Sequence, residues 1–150
     1  MDRKGKVVLA TGTFDLLHYG HVYYLTEAKK TGGENAKLVV VIARDRTVEK
    51  RKGSKPIIPE GQRRDVVKAL KVVDEAMLGR EEMDMLGIIE SIKPDIIAVG
   101  HDQGDIEEDL RKCIAEKGIE IRIVRIGRFG WKELDSSSKI KRRIIERYRR

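Results

Sequence analysis

The chain is poor in sulfur and in aromatic rings. It contains a single cysteine, Cys113, among 150 residues. One thiol cannot close an internal disulfide or build a cysteine-based zinc site, so any metal must be held by oxygen or imidazole. No apolar run approaches the ~18 residues of a membrane span, and the first residues lack the apolar stretch of a secretion signal. We therefore expect a cytoplasmic protein.

Positive charge is abundant only at one end of the chain. The net charge is +7, and residues 139–150, KIKRRIIERYRR, hold seven Lys or Arg and one Glu. The rest of the chain is nearly neutral and defines no basic face, so no nucleic-acid partner is expected. We interpret the basic segment as a solvated helix end. Its alternative function is peripheral contact with an anionic membrane.

The apolar residues follow an alternating strand and helix pattern within one predicted domain, 1–150. Five apolar runs predict strands, and they lie at 6–12, 37–43, 74–79, 95–100 and 119–126. Four helical patterns lie between them, at 22–30, 60–71, 83–91 and 106–117. Three of the runs are almost continuously apolar, which is typical of strands covered on both faces. The sequence predicts a doubly wound, Rossmann-like α/β domain with a five-stranded parallel sheet, which binds ligands at the carboxyl ends of its strands.

The segment after the first strand, ATGTFDLLHYGHVYYL, carries the clearest chemical signal. Gly12 allows a sharp turn, and Gly20 removes a side chain where a helix is predicted to begin. His18 and His21 are three residues apart, so they project from neighbouring positions on one helix face. Helix amides, the helix dipole and two imidazoles together form a site for the phosphates of a polyphosphate. The alternatives are a helix cap with a surface histidine, and a zinc site that lacks its further ligands.

These residues carry a family resemblance. GTFDLLHYGH resembles the G-x-F-D-x-x-H-x-G-H signature of the nucleotidyltransferase superfamily. ARDRTV, KGSKPIIPEGQRR, KPDIIAVGHDQ and SSSKI resemble the archaeal FAD synthase family and, next, the glycerol-3-phosphate cytidylyltransferases. The resemblance implies transfer of AMP from ATP to FMN with release of pyrophosphate. The alternative hypothesis is a cytidylyltransferase that uses CTP with glycerol or inositol phosphate. A more remote hypothesis is a non-catalytic nucleotide-binding module. Relatives commonly form homodimers.

The same resemblance implies roles for individual residues. His18 and His21 would stabilise the charge that grows as the α-phosphorus is attacked. Lys52, in a cationic loop at 49–56, would approach the phosphates as part of a lid. Asp15 would help to hold Mg²⁺ or would cap the loop after the strand. The residues expected to contact the nucleotide are Gly12, Thr13, Phe14, His18, Tyr19, Gly20, His21, Arg63, Asp102, Ser136, Ser137 and Ser138.

Two late aromatic residues bear on the choice of substrates. Trp131 stands where the glycerol-phosphate cytidylyltransferases carry an arginine, which favours ATP over CTP. Phe129 and Trp131 would suit stacking on a flat ring such as isoalloxazine, or would close the core.

Overall fold

A parallel sheet forms the centre of the molecule. The computed structural model describes residues 5–81, 84–128 and 134–149. The strands are β1 (Val7–Gly12), β2 (Lys37–Ile42), β3 (Glu75–Leu78), β4 (Ile96–Val99) and β5 (Arg122–Arg125). They pair in parallel in the order β3-β2-β1-β4-β5. This arrangement confirms the predicted α/β fold with five parallel strands.

Helices connect the strands and follow the last one. Those in the described ranges are α1 (Tyr19–Lys30), α2 (Asp45–Lys52), α3 (Glu60–Lys68), α4 (Met85–Ile92), α5 (Gly104–Lys117) and α6 (Ser137–Tyr148). None of these six is long and apolar enough to cross a membrane. Helix α1 begins three residues before the predicted Val22, because His18 caps it.

Helix α2 corrects the prediction of a cationic loop. The residues up to Lys52 are helical, and Gly53 ends the helix with a left-handed φ of 85°. Only Val48 is buried among the eight residues of α2, so the segment has no apolar periodicity for a sequence pattern to reveal.

The helices cover both faces of the sheet. Leu25 of α1 and Val67 of α3 pack with the β1 residue Val8 on one face. Ile88 of α4 and Leu110 of α5 pack with Leu9, the next residue of β1, on the other face. Successive strand residues point to opposite faces, so β1 must be apolar throughout.

The strand order reverses between β1 and β4, and the helices that follow these two strands, α1 and α5, lie on opposite faces of the sheet. A crevice opens at such a point, outside the carboxyl ends of the strands. A cleft of about 500 Å³ lies there, a size common for small-molecule sites.

Candidate active site

Two histidines in close ring contact stand at the start of α1. The main-chain N–H of Gly20 donates to Nδ1 of His18 at 3.0 Å, and the N–H of His18 donates to Nδ1 of His21 at 3.2 Å. The ring centroids are 3.8 Å apart. Because each Nδ1 accepts a hydrogen bond, the proton of each neutral ring is on Nε2. Capping thus fixes both tautomers and leaves two Nε2–H donors for a ligand.

Burial keeps this pair neutral in the free protein. Desolvation, and then the neighbouring His18, lower the pKa of His21 to about 3, against a smaller opposing effect of Asp15. Desolvation also lowers the pKa of His18, against the opposing effect of Asp135. Two partly buried imidazoles this close together disfavour a charge on either ring. An arriving polyphosphate would have the reverse effect, since its negative charge favours protonation.

The turn between β1 and α1 depends on two glycines. A Cβ on Gly12 would lie 2.9 Å from the Phe14 ring, which is buried beneath the turn and 5.3 Å from His21. A Cβ on Gly20 would lie 2.6 Å from the carbonyl oxygen of Asp135. Gly20 therefore allows the segment before α6 to approach α1 closely.

The start of α6 closes over this turn. The Ser137 hydroxyl donates to the carbonyl oxygen of Asp15 at 2.7 Å. Ser136 caps α6 by accepting from the N–H of Lys139, and Ser138 is exposed at the cleft. The N-termini of α1 and α6 thus meet at one cleft, and both helix dipoles present their positive ends to it.

Arg63 does not face this cleft, contrary to the prediction. Its side chain is fully buried, and its guanidinium donates to the carbonyl oxygens of Thr13 and Ile58 and to the Asp45 carboxylate. The bond to Asp45 is 2.7 Å long. Arg63 therefore ties the signature turn to the start of α2 and to the segment before α3. It stabilises the segments that form the site and does not itself line the cleft.

Asp15 also has a structural task. Its two carboxylate oxygens accept hydrogen bonds from the N–H groups of Ile57 and Ile58, at 2.8 and 2.9 Å. In the portion of the chain that the structure describes, no three His, Cys, Asp or Glu side chains form a metal-binding group. Asp15 also lines the cleft, and its predicted part in holding Mg²⁺ stays a prediction. Mg²⁺ commonly binds through one or two carboxylates together with substrate phosphates, so it would enter this cleft with a nucleotide.

The other predicted contacts divide into two groups. Lys52 and Asp102 are exposed and line the cleft. Gly12, Thr13 and the buried Phe14 line it as well. Tyr19, the first residue of α1, is 65% exposed and does not line the cleft. Phe129 and Trp131 lie outside the described residues.

Several cleft residues escaped the sequence analysis. Arg44 and Arg80 follow β2 and β3, and Gln103 follows β4. The Gln103 amide donates to the carbonyl oxygen of Thr11 at 3.0 Å and accepts from the N–H of Gly100 at 2.8 Å, so it joins the ends of β1 and β4. Their only signal in the sequence is a position just after a predicted strand.

Known proteins share this architecture. The cytidylyltransferase-like family model matches residues 9–143. The FAD synthase of Methanobrevibacter smithii is 55% identical over 93% of this chain and 90% of its own length. That of Methanothermobacter marburgensis is 53% identical over 93% of this chain and 85% of its own length. A crystal structure described as the lipopolysaccharide core biosynthesis protein of Thermoplasma volcanium covers 83% of this chain and 98% of its own, with 46% identity and a TM-score of 0.75.

Proposed function

The chain belongs to the cytidylyltransferase-like family, and on that premise we propose that it acts as an FAD synthase, transferring AMP from ATP to FMN. The observation that carries the proposal is the identity of about half of all residues with two archaeal FAD synthases, over 93% of the chain. The paired histidines support it, because they place two hydrogen-bond donors at a cleft with the positive ends of two helices.

The chemistry is one in-line displacement. A phosphate oxygen of FMN attacks the α-phosphorus of ATP, a new P–O bond forms, and the bond to the bridging oxygen of the β-phosphate breaks. Pyrophosphate carries away that electron pair. The Nε2–H donors of His18 and His21 stabilise the charge that develops on the α-phosphate oxygens. The N-termini of α1 and α6 hold the leaving phosphates, and no covalent enzyme intermediate is needed.

Lys52 supplies positive charge for the acceptor phosphate. It lies at the end of α2, lines the cleft, and has no ion-pair partner among the described side chains. Its ammonium group is free to meet the incoming phosphate of the acceptor. Mg²⁺ would enter with the triphosphate of ATP and neutralise part of its charge.

Initial rates with two donors and two acceptors test the proposal. The purified protein is given Mg²⁺ with ATP or CTP, and with FMN or glycerol 3-phosphate, and the products are separated by chromatography. ATP with FMN should give FAD at the highest rate. Turnover confined to CTP and glycerol 3-phosphate would identify a cytidylyltransferase instead. Nucleotide binding without any product would identify a non-catalytic module.

Two expectations about partners remain predictions. The homodimer is an expectation from the family resemblance and can be checked by light scattering. Contact of the basic end of α6 with anionic membranes can be checked with vesicles.

A further inference from the structure

One side of the cleft is apolar and reaches the protein core. Val41, Val48, Ile88 and Ile106 come from β2, α2, α4 and α5, and none is more than 9% exposed. All four line the cleft together with Met85, the first residue of α4. We call these five residues the apolar shelf. None of these five residues is among the phosphate-binding groups described above.

Gly79 keeps the shelf open. This residue follows β3 and lines the cleft. A Cβ placed on it would lie 3.4 Å from Cγ1 of Val41, so a side chain at this position would start in contact with the shelf. The backbone of Gly79 is not among the residues with positive φ. Its lack of a side chain therefore provides space at the shelf and is not required by the backbone conformation.

Charged groups stand at two edges of the shelf. Lys52 lies four residues after Val48 on α2, so the two side chains share one helix face. Arg80 and Asp84 lie between β3 and α4 and form a half-exposed ion pair at 3.2 Å. The shelf thus combines an apolar surface, a cation suited to a phosphate, and a donor and acceptor pair.

We propose that the shelf binds the isoalloxazine ring of FMN, an assignment that rests on the proposed function. The flat ring would bury apolar area against Val48 and Ile106 and would contact the Met85 thioether, which is a favourable neighbour for aromatic rings. Arg80 can donate to the carbonyl oxygens at the pyrimidine edge, and Asp84 can accept from its N–H.

The attack geometry supports the same placement. The histidines and α6 hold the triphosphate, so the acceptor phosphate must arrive from the side opposite the leaving pyrophosphate. Arg51 and Lys52 are both cleft cations on α2, and because Arg51 pairs with Asp105, Lys52 is the one that can receive that phosphate. The loop after β4, with Gln103 fixed to Thr11, is left for the adenosine part of ATP.

A glycine pair provides the test. Gly79→Leu places a side chain on the shelf, whereas Gly61→Leu adds the same atoms in α3, where a Cβ meets nothing within 4 Å. FMN affinity is measured by quenching of flavin fluorescence, and ATP affinity by calorimetry. Gly79→Leu should weaken FMN binding roughly 10- to 100-fold, as overpacking does, and should leave ATP affinity within about threefold of wild type. Gly61→Leu should change neither affinity.

A second variant, at a charged edge of the shelf, tests the same assignment without adding a side chain to the shelf. Arg80→Met, at a half-exposed position, should weaken binding of FMN and of riboflavin by a similar factor of about 3 to 10, because both ligands carry the same ring. Unchanged FMN affinity in both variants would overturn the shelf assignment while the proposed function stands. A loss of ATP affinity instead would show that the shelf holds adenine. A wild-type protein that neither binds FMN nor makes FAD would refute the proposed function itself.

Discussion

At the scale of single residues, the tautomers of His18 and His21 are set by the backbone. Each Nδ1 accepts a main-chain N–H, so each Nε2–H is available to the substrate. The role as helix cap, which the sequence offered as an alternative to phosphate binding, is present together with the arrangement that phosphate binding requires. Capping orients the rings, and orientation is what a transition-state donor needs.

His21→Ala should therefore reduce turnover far more than nucleotide affinity. The attacked phosphorus carries more charge on its non-bridging oxygens in the transition state than in bound ATP, so a donor aimed there acts selectively on the rate. We expect a loss of roughly 100- to 1000-fold in kcat, or about 3–4 kcal/mol. Steady-state kinetics and calorimetry with ATP measure the two effects. Equal losses of affinity and turnover would make His21 a binding group only.

The lowered pKa of His21 predicts a dependence of stability on pH. The unfolded chain gains a proton on this ring as pH falls through about 6.5, whereas the folded protein does not until about pH 3. The free energy of unfolding should thus decrease as pH falls through this window. Urea unfolding between about pH 7 and pH 5, above most carboxyl titrations, should show a smaller decrease in His21→Asn than in wild type. An identical decrease in both proteins would mean that His21 titrates normally.

The histidines were predictable because a short motif places them, whereas the role of Arg63 was not. An arginine in the polar sequence EGQRR is expected at the surface. Its burial depends on Thr13, Asp45 and Ile58, which converge on it only in the folded chain. No local pattern encodes that convergence.

Arg63→Ala should consequently destabilise the fold. It would leave the partly buried carbonyl oxygens of Thr13 and Ile58 without their donor and Asp45 without its ion-pair partner, at a cost of about 3–5 kcal/mol. Arg64→Ala is the matched control, because among the described residues Arg64 pairs with the exposed Asp65 alone, and its loss should change stability by less than about 0.5 kcal/mol. Denaturant unfolding measures both. An Arg63→Ala protein of normal stability that fails to bind ATP would restore the predicted contact with the nucleotide.

At the scale of elements, α6 divides into two parts with different roles. Its first turn belongs to the site, since Ser137 bonds to the signature turn and Ser136 caps the helix. Its far end is exposed, with Ile145 at 61% and Tyr148 at 74%. The sequence predicted that Ser136, Ser137 and Ser138 contact the nucleotide, but only the fold shows that this helix start lies against Asp15.

Truncation after Glu146 should therefore leave turnover within about threefold of wild type, because the described residues that it removes, 147–149, are exposed. Binding to vesicles of anionic lipid should weaken, and the remaining binding should decrease with added salt. Ser137→Ala, at the other end of the same helix, should lower turnover and leave binding to the vesicles unchanged. A folded truncated protein with little activity would show that the whole of α6 belongs to the site.

At the scale of the whole molecule, strand order creates the site. Continuous apolar runs predicted the parallel sheet, because strands buried on both faces leave that signature in any sequence. Helix α2 left no such signature, and without it the cleft would lack Lys52 and Val48. The apolar shelf was also unpredictable, because its residues come from β2, α2, α4 and α5, which are far apart in the chain.

A single-turnover experiment tests adenylyl transfer most directly. Enzyme in excess over ATP labelled at the α-phosphorus is mixed with FMN and Mg²⁺ and quenched at short times. The label should pass directly from ATP to FAD, with one pyrophosphate per FAD and no labelled protein, and His21→Ala should slow that step by its full kinetic effect. Label that accumulates on the protein or ends in AMP or ADP, with no FAD formed, would contradict direct transfer to FMN at this cleft.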